Sequence, residues 1–412
     1  MRHLLASPAV TPARLVVAGA LCLLAAPAAA QQVQLSGDMV KIGVLTDLSG
    51  IYADLAGSGS VIAAKMAVED FGGAMGGRPV EVVSADTLNK PDTAANRARE
   101  WFDRDGVDYI VDLPASSVAL SVIQVAKSKG RAVAIVGAAA TRVTNEDCGP
   151  YVFHWAYDTY ALATTTAKSV LAAGGDSWYF ITADYAGGHA LAKDASDIVR
   201  AGGGKVLGEV RHPFPGTDFS SFLVKAAASE AKVIGLANAG NDAVNAIRQA
   251  AEFGIGKNKV LAATLLFDTD VHSIGLKRAQ GMYLATGFYW DYDEQTRAFG
   301  KRFFDKQKRM PTMVQAGVYS ATLHYLKAVK AAGTDDTAAV AAMMKKMPVQ
   351  DFFARNGVLR EDGRMVHDMY LARVKKPADS KYPWDYLAIE RVIRGEDAFL
   401  PLSNSTCALV KR

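Results

Sequence analysis

Two glycine clusters are the first places where this sequence could do chemistry. In "KIGVLTDLSGIYADLAGSGS", Lys41 to Ser60, an apolar run (Ile42 to Leu45) meets a polar, glycine-rich stretch. The following "VIAAKMAVEDF" has helical spacing. A strand, a glycine loop and a helix can cradle phosphate, but a dinucleotide fingerprint needs a third glycine where this chain has Ile62. No GxxxxGK[ST] is present, and "AGGGKV" (201 to 206) lies between a helix and a strand, the reverse of the order a phosphate cradle needs. The seven histidines form no HExxH and pair with no CxxC, so no metal site is expected. His189 reads as a surface or capping residue. There is no GxSxG elbow. The carboxylate pairs Asp335-Asp336 and Glu361-Asp362 fall at a helix start or a turn, where capping and solvation explain them. The expectation is a chain that is not an enzyme and takes no cofactor.

The cysteines and the N-terminus point to export. Arg2, His3 and Arg14 precede "LVVAGALCLLAA", an apolar run too short for the ~20 residues that cross a bilayer. Ala28 and Ala30 fit the small-x-small rule, which predicts a signal peptide over 1–30, cleaved after Ala30, and a periplasmic protein. Gly19-Ala20-Leu21 is a poor lipobox for Cys22. Cleavage leaves Cys148 and Cys407, an even pair in an oxidising compartment, which suggests a disulfide; two unrelated thiols are the alternative. A net charge of +4 on 412 residues, with no basic run, argues against nucleic acid.

These residues need elements to position them. From Val40 onward, "VEVVSA" (80 to 85), "DYIVDL" (108 to 113) and "RAVAIVG" (131 to 137) alternate with helical segments that end in glycine. Near-continuous apolar strands with helices between them predict a parallel sheet covered on both faces. The rhythm breaks near 150 to 157 and restarts with "WYFITA" (178 to 183), "KVLGEV" (205 to 210), "KVIGLAN" (232 to 238) and "KVLAATLLF" (259 to 267). Residues 293 to 332 read as helices without strands, and 351 to 376 as a hairpin turning at Glu361-Asp362-Gly363. Ligands of open parallel sheets bind beyond the carboxyl ends of the strands. Those ends carry "DLSGIYADLAG", "LPASSVA", "GAAATRVTN", "ADYAGGH" and "ANAGND", which are small residues, hydroxyls and single aromatics. Ser116, Ser117 and Thr141 read as helix caps or ligand donors, and Tyr185 as a stacking or packing residue.

Together, "VKIGVLTDLSGIYADLAGSG", "LPASSVALSV", "GAAAT", "WYFITADYAGGHAL" and "DFSSFLVKAAASEAKVIGLANAGNDAVNAIRQA" resemble the leucine/isoleucine/valine-binding branch of periplasmic solute-binding proteins, over about residues 38 to 375. The resemblance implies an α/β fold of two doubly wound parallel-sheet lobes joined by three hinge crossings. Lobe 1 would span 38–155 and 289–348, and lobe 2 would span 156–288 and 349–412. It implies the substrate-binding component of an ABC importer, a monomer that hands a small ligand to a membrane permease. Carried over by motif, the ligand-binding residues are Tyr52, Ala115, Ser116, Ala139, Ala140, Thr141, Tyr157, Tyr185, Asn238 and Leu265. One departure bears on the ligand. The acid that pairs with a ligand ammonium in this branch is replaced by the apolar Leu265, Leu266 and Phe267. A buried ammonium without a counter-charge costs several kcal/mol. The expected ligand is therefore a small carboxylate without an amine, such as a keto acid or an aromatic acid. The alternatives are a sensing protein for a branched-chain amino acid or amide and, more remotely, an unfamiliar enzyme.

Overall fold

The computed structural model describes residues 33–411, together with residues 3, 6, 8 and 9. Most of the expected signal peptide, and its expected cleavage after Ala30, lie outside the described residues. Strands β1 (Val40–Thr46), β2 (Ala74–Met75), β3 (Arg78–Asp86), β4 (Tyr109–Asp112), β5 (Ala132–Ile135) and β6 (Val152–His154) form one sheet in the order β2-β3-β1-β4-β5-β6. All its pairings are parallel except that of β2 with β3. A second, wholly parallel sheet has the order β10-β9-β7-β8, from β7 (Ser177–Ala183), β8 (Lys205–His212), β9 (Val233–Ala237) and β10 (Val260–Ala263). The central strands of both sheets are buried along almost their whole length, as strands with helices on both faces must be.

The last strands are antiparallel. β11 (Tyr283–Thr286) joins β15 (Met369–Val374) and β16 (Leu387–Ile393), while β12 (Val349–Gln350), β13 (Arg355–Leu359) and β14 (Met365–Val366) form a small second group. The hairpin turn sits where the sequence places it, with Gly363 at φ +85° and its N–H donating to Arg360 O (3.0 Å). The strand expected over 259 to 267 is shorter. It ends at Ala263, because both the N–H (3.1 Å) and the Oγ1 (2.7 Å) of Thr264 turn to Leu236 O, and residues 264–267 leave the sheet.

Residues 293 to 332 hold helices without strands, as read: Glu294–Gln307 and Met313–Ala332. Helix Met313–Ala332 packs along helix Gly57–Phe71, beside the first sheet. Its capping box also docks it there: Thr312 Oγ1 donates to Leu55 O (2.6 Å) and Gln315 Nε2 to Ala56 O (3.0 Å). Helix Thr159–Ala172 packs on helix Ala186–Ala201 and on β11 and β15, beside the second sheet. Between β6 and that helix, residues 155–158 run past the hairpin, where the buried guanidinium of Arg364 gathers their carbonyls. Nη1 donates to Tyr157 O (2.9 Å), Nη2 donates to Trp155 O, and Asp158 Oδ2 lies 3.4 Å from Nη1. Cys148 and Cys407 form a disulfide that ties the C-terminal tail to the loop after β5. Among the described residues, no helix is long and apolar enough to cross a membrane.

Candidate functional site

The carboxyl ends of the two parallel sheets face one another, and three tyrosines meet there. Tyr52 is set by the loop after β1. Buried Asp47 accepts from Gly50 N (2.7 Å), Tyr52 N (2.9 Å) and Asn89 Nδ2 (2.5 Å), which folds the loop back on the end of β3. Tyr185 follows β7 and opens helix Ala186–Ala201. A Cβ on Gly188 would stand 2.1 Å from Ala183 O and one on Gly187 2.4 Å from Tyr185 Oη, so the glycine pair lets the helix meet the strand end and leaves room for the phenol. Across the gap, Tyr52 Oη and Tyr185 Oη are 2.6 Å apart. Phe214, from the loop after β8, stacks on Tyr185 with ring centroids 3.9 Å apart. Tyr157 donates to Gly137 O (2.5 Å) and meets Phe267 edge-on.

Tyr52, Ala139, Tyr157, Tyr185 and Leu265 line one small cavity together with Leu55, Pro114, Leu191, Ala239 and Phe267. The space left between them takes about one water molecule, so the two walls are closed on each other. The other five candidates do not line it. Ala115 and Ala140, next in sequence to the lining residues Pro114 and Ala139, are fully buried. Ser116 Oγ is taken up by Ala140 N (3.3 Å). Asn238 turns away to His212 Nε2 (3.3 Å), leaving its neighbour Ala239 on the wall. Thr141 points to Thr159 and Asp194 on the rim of a wider groove of about 850 Å³. Leu55, Pro114 and Ala239 sit in the quoted strand-end loops, so their position was the available signal. Phe214 had none: "HPFPG" follows a strand whose end carries no small-residue motif.

The electrostatics have two parts. Four helices of at least eight residues begin within two residues of the lining, after Leu55, Pro114, Tyr185 and Ala239. Their N-caps, Ala56, Ala115, Tyr185 and Gly240, supply no side-chain hydrogen bond. First-turn N–H groups have no partner within their helix and carry the positive end of its dipole, which favours an anion. No lysine or arginine lines the cavity. Around this centre lie buried acids. Burial pushes Asp112, Asp242 and Asp270 each up to about 7, with backbone or hydroxyl hydrogen bonds pulling the other way. Asp242 Oδ1 accepts from Gly216 N (3.0 Å) and Asp270 Oδ2 from Phe267 N (3.0 Å). Burial raises Tyr185 to about 12 and holds Tyr52 well above its ordinary value, so both phenols stay protonated at neutral pH.

The comparisons with known proteins agree with this geometry. The sequence profile of the family described as periplasmic binding protein matches residues 39–381. A periplasmic binding protein from Burkholderia mallei is 53% identical, with a TM-score of 0.89 over 91% of this chain and 100% of that one. A branched chain amino acid ABC transporter periplasmic ligand-binding protein from Burkholderia xenovorans LB400 is 44% identical, with a TM-score of 0.81 over 90% and 100%. Among curated proteins, the Leu/Ile/Val-binding protein homolog 6 of Brucella abortus (strain 2308) is 27% identical over 192 residues, 45% of this chain and 47% of its own length. The chain spans about half the length of the curated relatives it matches. With two parallel sheets meeting at their carboxyl ends and the family profile running from β1 into the last antiparallel strands, the chain belongs to the periplasmic binding protein family and has its type I fold.

Proposed function

We propose that this protein is the substrate-binding component of an ABC importer, exported to the periplasm, which traps a small carboxylate between two lobes and delivers it unchanged to a membrane permease. In this reading the first lobe is built on β1–β6 with the helices of 293–346, and the second on β7–β11 with β15 and β16. Binding energy favours the closed arrangement over an open one. The observation that carries the ligand class is the set of four helix N-termini without an N-cap side-chain bond around a cavity with phenols and apolar walls but no cation; Gly57 N and Asn241 N are already engaged, by Thr46 Oγ1 and Ile51 O, which leaves the other first-turn N–H groups for a ligand. A carboxylate would take those N–H groups, and an aromatic or branched body would rest on Tyr157, Leu265 and Phe267. Of the two acids that follow Phe267, Asp270 is engaged on Phe267 N, while Asp268 Oδ2 is buried without a hydrogen-bond partner.

A second reading, an α-amino acid, has its own support. Asp242 Oδ2 is buried without a hydrogen-bond partner, 3.9 Å from His212 Nδ1, and the 44% identical relative is described as a branched chain amino acid ABC transporter periplasmic ligand-binding protein. Thermal unfolding against a panel of keto acids, aromatic acids and amino acids separates the two. A ligand at a hundred times its Kd adds about 2.7 kcal/mol, a shift of several degrees. Stabilisation by an amine-free acid is the expected result. Stabilisation by leucine or valine and by no amine-free acid would favour the second reading. Recovery of the best ligand chemically altered after incubation would overturn the binding-protein role itself.

A further inference from the structure

The threonine that motif matching assigns to the ligand is engaged within the protein. Thr141 follows β5 of the first sheet, and its Oγ1 donates to Asp194 Oδ2 (2.5 Å), on helix Ala186–Ala201 beside the second sheet. Thr159, the first residue of helix Thr159–Ala172, donates to the same oxygen (2.5 Å), and its Oγ1 also accepts from Thr141 N (3.2 Å). Thr159 N in turn donates to Ala139 O (2.8 Å), so the cluster continues into the cavity wall. The two hydroxyl oxygens also lie 2.5 Å from each other, so two hydroxyl protons are shared among three oxygens. Charge-assisted hydrogen bonds of this kind are roughly twice as strong as neutral ones.

We propose that Asp194 is a positioning residue for closure: it latches Thr141 across the two sheets and thereby removes that hydroxyl from the ligand's set of contacts. The inference rests on the two-lobe reading above. Its consequence is that the closed form is held partly by the protein's own carboxylate, so an open and a closed population should differ between the wild type and latch variants even without ligand. It also means that Thr141 governs how readily the protein closes, while the choice of ligand lies with the cavity lining.

Spin labels on Asn96→Cys, in the helix after β3, and on exposed Val224→Cys, in the helix after β8, report the separation of the two sheets by double electron–electron resonance. In the ligand-free protein, Asp194→Ala and the isosteric Thr141→Val should each move population to the longer distance, and Asp194→Asn, which keeps an acceptor, should move less. The double variant Thr141→Val/Asp194→Ala should shift no further than the larger single change, because the two substitutions share the Thr141–Asp194 contact. Unfolding temperatures within a few degrees of wild type show that the variants are folded. Two distances whose populations ignore Asp194→Ala would overturn the latch and leave the two-lobe reading standing. One distance in every variant, at any concentration of a stabilising acid, would overturn both.

Discussion

A buried carboxylate at the end of a strand shows how far single residues can be read. Asp112 closes the apolar run "DYIVDL" and takes φ +96°, with Leu113 following at φ +60°, two left-handed conformations in succession. Such backbone is uncommon outside glycine and gathers at functional sites. Nothing in the sequence announces it, since an aspartate after a strand is ordinarily a solvated cap. The burial that sets its chemistry comes from β1, β5 and the loop to Tyr52, which are distant in sequence. The phenols of Tyr52 and Tyr185 were legible because each sits at a strand end. Asp242 and Phe214 were not, because their approach to those phenols depends on how the second sheet's loops stack. For Asp112, burial raises the carboxyl to about 7, against an ordinary 3.8, with the Thr46 and Ser60 hydroxyls lowering it and Asp47 raising it. The folded chain therefore holds a proton that the unfolded chain has released. The stability linked to this group is complete below the unfolded value and is lost as the pH rises toward about 7. Asp112→Asn, which cannot ionise, should gain on the wild type as pH rises from about 4 to about 7. Urea unfolding of both proteins across that window measures it, and a difference that stays flat with pH would show that the carboxyl titrates alike folded and unfolded.

At the scale of elements, the strands and helices of the parallel sheets follow from alternation, while the connection between the sheets does not. The segments "WYFITA" and "KVIGLAN" coincide with β7 and β9 to within a residue, because a buried parallel strand is apolar throughout. The hairpin at 355–366 was also legible, but its sequence, "LREDGRMV", reads as a solvated turn. Instead Arg364 is fully buried, its guanidinium donating to Trp155 O, Tyr157 O and Met365 O and lying 4.5 Å above the ring of Phe399. Burial lowers its pKa to about 10, with Asp158 opposing, so it stays charged at neutral pH. Only the fold shows that the segment crossing between the sheets has carbonyls in need of a donor. Arg364→Met should leave those carbonyls and Asp158 unpaired and cost about 3 to 5 kcal/mol. Arg364→Lys should recover only a part of this, since an ammonium lacks the planar fork that reaches two carbonyls at once. Chemical denaturation of the three proteins gives the comparison, and a methionine variant as stable as the wild type would mean that solvent satisfies the crossing segment without the arginine.

For the whole molecule, the question is what keeps the C-terminal tail on the structure. The family profile stops at residue 381, and the tail beyond β16 has little core of its own. It is held near the first sheet by a few contacts: Arg360 Nη1 donates to Leu400 O (2.8 Å), Thr406 N donates to Asn145 Oδ1 (3.0 Å), and Cys407 is bonded to Cys148. The pairing suggested by two cysteines in an exported chain is thus realised, yet the sequence could not show where it acts. Cys148 lies in the loop that begins at Thr141 and carries Asn145, so the bond anchors the tail beside the groove rim. The two cysteines are 259 residues apart, and chain entropy sets an upper figure of about 5.6 kcal/mol for closing so long a loop. Most of that gain acts on the unfolded chain, so the fold should survive its loss. Cys148→Ser/Cys407→Ser should therefore fold with the same far-ultraviolet circular dichroism but unfold at lower denaturant, and amide exchange should rise at residues 402 to 410 and at 141 to 148. Reduction of the wild type should reproduce both effects. If exchange rises only in the tail while 141 to 148 stays protected, the disulfide serves the tail alone and the loop that presents Thr141 is held by the sheet.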